Sequence, residues 1–220
     1  MLTSTITTQT LARGLAALDQ QPTRSLWKAS TMLTHRYADA MQLAWRLHDG
    51  QLRKGTSIPY LSHLIGVSSI ALEHGADENQ AIAALLHDAV EDAGGLPTLA
   101  IIRAQFGVEV ADIVDGCTDA YEEPKPPWRA RKERYVAHLA TASPSIRLVS
   151  NADKLHNARA ILSDLRVHGP ALWARFTAPM EGTLWYYRAL VQAFASHGHS
   201  ALVNELDINV TEIERLAHSG

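Results

Sequence analysis

The sequence has one cysteine, Cys117, so neither a disulfide framework nor a cysteine-based zinc module can be built, and a reducing, cytoplasmic setting fits. No uninterrupted apolar run approaches the about 18 residues that a membrane span requires, so no membrane role is expected. A large excess of charge is missing too. Twenty Lys and Arg against 23 Asp and Glu leave a formal charge of −3, which argues against a general nucleic-acid binder. The apolar/polar alternation of half-buried strands is absent, as is any internal repeat. What remains is 220 residues, 46% hydrophobic and 20% charged, enough for one domain with a full core. One residue type is abundant: 11 histidines, the side chain used most for metal ligation and for acid–base work near neutral pH.

Residues 1–30 are rich in Ser, Thr and Gln and lack the charged start and apolar core of a secretory signal. They read as a lead-in with at most a short helix around Leu11–Leu18, ahead of a single domain over 31–220. From Thr31 the apolar spacing is helical almost throughout. Leu33, Tyr37, Met41, Ala44 and Leu47 form one stripe that Gly50 ends. Pro59-Tyr60 opens a second helix, and Asp77 with Gln80 makes a capping box for a third that should run to Gly94-Gly95. Further helices are expected after Pro97, over Val108 to about Ala120, and over Trp128–Ala142, Ser145–Val167, roughly Ala171–Ser196 and Ala201–Ala217. The segment Glu122 to Pro127 has three prolines in four residues and must interrupt any regular element. The fold class is all-α, a single helical bundle of about eight to ten helices.

Within Ala81–Asp92 (AIAALLHDAVED) a small, apolar, buried-type helix is followed by His87, Asp88, Glu91 and Asp92. On one helix these share a broad face. Three carboxylates at a helix C-terminus oppose both one another and the helix dipole, a conflict that a divalent cation removes and that an exposed acidic end would tolerate. His63 sits early in an apolar helix, and Asp153, His156 and Asn157 form a polar edge on another. Singly these are weak: a lone histidine is more often structural, and Asp153 alone could be a packing contact. Jointly, His63, His87, Asp88 and Asp153 are a two-imidazole, two-carboxylate set from three helices. Such a set suits Mn, Fe or Zn and leaves room for water and substrate.

The order of these motifs resembles the HD-domain metal-dependent phosphohydrolases, and more closely the hydrolase domain of RelA/SpoT enzymes and the small alarmone hydrolases. The resemblance runs from about His35 to Arg166. It rests on Asp49–Lys54 (DGQLRK), Ile58–His63 (IPYLSH), Ala84–Asp92 (ALLHDAVED), Phe106–Thr118 (FGVEVADIVDGCT) and Ala152–Arg159 (ADKLHNAR). It implies an HD-domain bundle with His63, His87, Asp88 and Asp153 as ligands, Mn²⁺ as the usual ion, and Zn²⁺ or Fe²⁺ as substitutes. It also implies that Glu91 and Asp92 handle the attacking water, and that Arg53, Lys54 and Asn157 contact the nucleotide, with His156 beside them. The family's common His-Pro is His63-Leu64 here, which leaves the ligand unchanged.

The activity implied is hydrolysis of the 3′-pyrophosphate of the alarmone (p)ppGpp to GDP or GTP and pyrophosphate. With the chain ending at Gly220, hydrolysis without synthesis is expected. The alternatives are the adenine analogue (p)ppApp, another HD-type nucleotide phosphohydrolase, or a degenerate protein that binds without turnover. A polyphosphate needs cations. Lys125–Arg134 (KPPWRARKER) offers them, either as a solvated face or, through Arg131, as a grip on distal phosphates. The cluster Trp173, Arg175, Trp185, Tyr186 and Tyr187 is either core or a wall of the nucleoside site, with Arg175 and Tyr187 the candidates. A homo-oligomer stays open.

Overall fold

Ten helices make up the described part of the chain, residues 32–121 and 124–219 of a computed structural model. The expected lead-in over 1–30, its short helix, and Glu122-Glu123 lie outside the described residues. In chain order the helices are α1 (His35–Leu47), α2 (Leu61–Glu73), α3 (Glu78–Leu86), the one-turn α4 (Ala89–Asp92), α5 (Leu96–Phe106) and α6 (Val108–Cys117). After the proline-rich break come α7 (Trp128–Leu139), the 25-residue α8 (Pro144–His168), a 3₁₀ segment (Gly169–Arg175), α9 (Met180–Ala195) and α10 (Ala201–Ala217). No strand occurs among the described residues, and none of these helices is long and apolar enough to cross a membrane.

The centre is set by α3. Ala81 through Leu86 are all buried, so this helix is apolar around its whole circumference and needs neighbours on every side. It finds α1, α2, α6 and α8. Its start follows the capping box, with Asp77 accepting from the Gln80 amide and Gln80 returning the bond to the Asp77 amide. Helix α8 runs alongside and packs on α2, α3, α6 and α10, with Val149, Ala152, Leu155 and Ala158 fully buried.

Two expected helices are divided. The run to Gly94-Gly95 is interrupted after Leu86, where the His87 ring bonds the Ala84 carbonyl at 2.8 Å, the acceptor that a continuing helix gives to the Asp88 amide. The stretch over Ala171–Ser196 is a 3₁₀ segment and then α9, separated at Pro179, which lacks the amide a continuous helix needs.

Between α1 and α2 the chain folds back on itself. Leu52 and Pro59 form an isolated antiparallel bridge, with the Arg53 amide donating to Ile58 O at 2.9 Å and the Tyr60 amide to Gln51 O at 2.8 Å. Arg53 and Lys54 are therefore carried on a short closed loop whose root is the start of α2.

Helices α6 and α8 approach closely at Gly116. A Cβ there would stand 2.4 Å from Ile146 Cδ1 and 2.8 Å from its Cγ1. Gly116→Ala should cost about 1–3 kcal/mol by overpacking, read from denaturant midpoints, and Ile146→Val should recover part of that loss in the double variant.

Candidate active site

Three segments converge on one buried point. His63 enters from the first turn of α2, His87 and Asp88 from the break after α3, and Asp153 from the middle of α8. His63 and His87 are 1% and 2% exposed. His63 Nε2 lies 3.5 Å from Asp88 Oδ2 and 3.2 Å from Asp153 Oδ1. His87 Nε2 lies 3.0 Å from Asp88 Oδ2 and 3.6 Å from Asp153 Oδ1. His63, His87 and Asp88 have the mutual spacing of a metal-holding group.

The hydrogen-bond pattern fixes what each atom offers. Ala84 O can only accept, so His87 Nδ1 carries a proton and Nε2 is the nitrogen turned inward. Burial opposes charge on this ring, but Asp88 and Asp153 outweigh it and raise the ring's pKa well above its usual value. That Nε2 is buried and makes no hydrogen bond, despite Asp88 at 3.0 Å. His63 Nδ1 meets His156 Nδ1 at 2.9 Å. Burial, the His63 ring and Arg53 push His156 down to about 4, so it is a neutral ring able to accept the His63 proton and leave His63 Nε2 bare. Two imidazole Nε2 atoms thus face two carboxylate oxygens, an arrangement that favours positive charge, whether a proton on His87 or a cation in its place. The donor set fits a divalent transition metal.

The carboxylates are prepared in the same sense. Burial opposes charge on Asp153, but Lys154 and then His87 outweigh it and hold the carboxyl well below its usual range. Lys154 Nζ binds Asp153 Oδ2, leaving Oδ1 to the imidazoles and to Asn157 Nδ2, which donates to it at 2.6 Å. Asp88 is likewise held low against burial, by the His87 and His63 rings. The Tyr60 hydroxyl donates to Asp88 Oδ2 at 2.6 Å.

Beside this cluster lies a cavity of about 490 Å³, within the range of small-molecule sites. Arg53, Lys54, Lys132 and Arg175 line it against one acid, Asp164, and Tyr60, Trp128, Tyr186 and Tyr187 supply aromatic wall. Asn157 connects cluster and cavity, giving Asp153 its amide and receiving Arg53 NH2 on its oxygen at 2.9 Å.

The sequence-expected residues are distributed as follows. His63, His87, Asp88 and Asp153 come together; His156 backs His63; Arg53, Lys54, Asn157, Arg175 and Tyr187 line the cavity. Glu91 and Asp92 sit beyond the helix break rather than on a continuous face with His87. Glu91 accepts from Lys125 at 2.8 Å and Asp92 from Gln51 at 2.8 Å. Burial, aided by Asp88, raises the Asp92 carboxyl. Arg131 is the correction. Its guanidinium binds Asp119 and the Pro126 carbonyl outside the cavity lining, whereas the neighbouring Lys132, also paired with Asp119 at 2.8 Å, lines the cavity together with Trp128 of the same helix. Sequence reasoning missed Tyr60, Lys132 and Lys154. Their signals were adjacency only: Tyr60 is one turn before His63, and Lys154 follows Asp153.

Residues 40–184 match the HD domain family. The chain belongs to that family. As an HD-domain protein it is 38% identical over 140 residues to a human protein named guanosine-3′,5′-bis(diphosphate) 3′-pyrophosphohydrolase MESH1, covering 62% of this chain and 73% of the relative. The Xenopus tropicalis protein of that name is 36% identical over 139 residues, covering 62% and 73%. A probable GTP pyrophosphokinase of Mycobacterium leprae is 34% identical over 137 residues, 61% of this chain, which spans only 16% of that longer protein. Among solved structures, a metazoan SpoT ortholog described as hydrolysing ppGpp superposes with a TM-score of 0.66 at 28% identity, over 84% of this chain and 97% of the other.

If the cluster holds a divalent cation, Mn²⁺ at a hundredfold excess over its dissociation constant should stabilise the fold by about 2.7 kcal/mol. That corresponds to about 5–10 °C in melting temperature for a domain of this size. His87→Ala should abolish this Mn²⁺-dependent shift in a thermal melt, whatever it does to the metal-free midpoint.

Proposed function

We propose that this HD-domain chain, with residues 31–220 as its catalytic unit, hydrolyses the 3′-pyrophosphate of (p)ppGpp to GDP or GTP and pyrophosphate. One observation carries the reading: a buried cluster of two imidazoles and two carboxylates opens through Asn157 onto a cation-lined cavity. The named relatives and the solved ppGpp-hydrolysing structure support the same chemistry.

His63, His87, Asp88 and Asp153 would hold the cation, which we assign as Mn²⁺. When bound, it would make a water more acidic and draw charge from a phosphoryl oxygen. The protein's own groups do the rest. Arg53, Lys54, Lys132 and Arg175 offset the charge of a substrate with two phosphate chains, which an acidic ligand set would otherwise repel. Tyr60, Trp128, Tyr186 and Tyr187 give the base and ribose an aromatic wall. Water adds to the phosphorus bonded to the ribose 3′ oxygen and the P–O3′ bond breaks. Glu91 takes the proton that the water gives up and, now protonated, returns one to the leaving 3′ oxygen through solvent, which regenerates the carboxylate. Lys125 holds the Glu91 carboxylate by an ion pair at 2.8 Å. Asp92, held by Gln51, orients the water.

Purified protein with Mn²⁺ should release pyrophosphate from ppGpp and pppGpp. The comparison panel is ppApp, deoxynucleoside monophosphates and cyclic nucleotides. Orthophosphate from a mononucleotide, or no turnover of any compound, would overturn the reading. Glu91→Gln should lower kcat by about 10²–10⁴-fold while retaining metal. Asp88→Ala should lose both turnover and metal. An active Glu91→Gln enzyme would remove Glu91 from its role.

A further inference from the structure

Tyr60 stands at the boundary between the metal cluster and the cavity, and its surroundings restrict it closely. It is the last residue before α2, so its backbone is one turn from His63, whose amide donates to the Tyr60 carbonyl at 2.9 Å. Its ring stacks on His48 with centroids 5.2 Å apart and meets His63 edge-on at 5.4 Å. Its hydroxyl donates at 2.6 Å to Asp88 Oδ2, the same oxygen that both imidazole Nε2 atoms face. A carboxylate oxygen has two lone-pair directions in its plane. With one committed to Tyr60, the other is left directed at the imidazoles.

We propose that Tyr60 is the positioning residue for the metal ligand Asp88, setting the orientation of its coordinating oxygen and so the affinity of the cluster for its cation. The proposal rests on the metal assignment made above. Asp88 lies in the two-residue break between α3 and α4, as the N-cap of the one-turn α4. Asp153 has Lys154 and Asn157 to hold it, whereas the hydrogen bond from Tyr60 is the one that fixes Asp88 from outside the cluster. Partners of this kind around a ligating carboxylate typically govern metal affinity by about 10–100-fold.

The test is Tyr60→Phe, which keeps the ring, the His48 stack and the cavity wall and removes only the hydroxyl. Binding of Mn²⁺ alone, followed by loss of the free-ion EPR signal, should weaken by about 10–100-fold, while the metal-free melting temperature stays at the wild-type value. Excess Mn²⁺ should restore kcat towards wild type. Gln51→Ala is the comparison. It releases Asp92 and the His48 ring that stacks on Tyr60 but keeps the Tyr60 hydroxyl on Asp88, so its Mn²⁺ affinity should stay within about twofold of wild type. The proposal is overturned if Tyr60→Phe binds Mn²⁺ within twofold of wild type. It is also overturned if Gln51→Ala weakens binding equally, which would make the effect one of loop integrity. Wild-type protein that binds no Mn²⁺ would overturn this proposal together with the metal assignment. Normal wild-type binding with an unaffected Tyr60→Phe would overturn this one only.

Discussion

The bond from the His87 ring to the Ala84 carbonyl is the constraint on which the site turns. It occupies the carbonyl that the Asp88 amide would meet if α3 continued, at the point where the helix ends at Leu86. It also dictates the tautomer of His87, because a carbonyl can only accept. The same contact therefore fixes the ring so that Nε2 faces Asp88. Removing the backbone regularity of the most buried helix costs stability, and its full apolar jacket of α1, α2, α6 and α8 is what makes that tolerable.

Electrostatics divide the molecule's functional region into two compartments of opposite sign. One is small, buried and rich in lone pairs; the other is wide and lined by four cations with one acid. Mixing them would collapse each onto the other through ion pairing. They are kept apart by neutral go-betweens: Asn157 joins Asp153 to Arg53 through an amide, and His156 backs His63 as an uncharged ring. Lys154 is the exception, a cation inside the acidic compartment, and it is tethered to the carboxylate oxygen that the imidazoles do not face.

Much of this was legible from residue order. The capping box at Asp77, the buried character of Ala81–Leu86 and the polar edge of Asp153, His156 and Asn157 follow from spacing alone, because each depends on neighbours within a turn. The break at His87 was not legible, since an imidazole competing for a carbonyl leaves no trace in periodicity. Nor was the choice between Arg131 and Lys132. Adjacent residues on a helix differ by about 100° in direction, and although Asp119 pairs with both, only Lys132 lies on the face turned to the cavity. Tyr60 was hidden for the same reason, as its partner lies 28 residues away.

The bridge between Leu52 and Pro59 divides the loop before α2 into a root and a tip. The root carries Tyr60 and leads directly into His63, while the tip carries Arg53 and Lys54. Because the two halves are hydrogen-bonded across the bridge, residues gained or lost in the tip need not be transmitted to the root. A protein built this way can change how far its basic pair reaches, and hence which nucleotide it prefers, by altering loop length, while the metal-binding chemistry below it stays as it was.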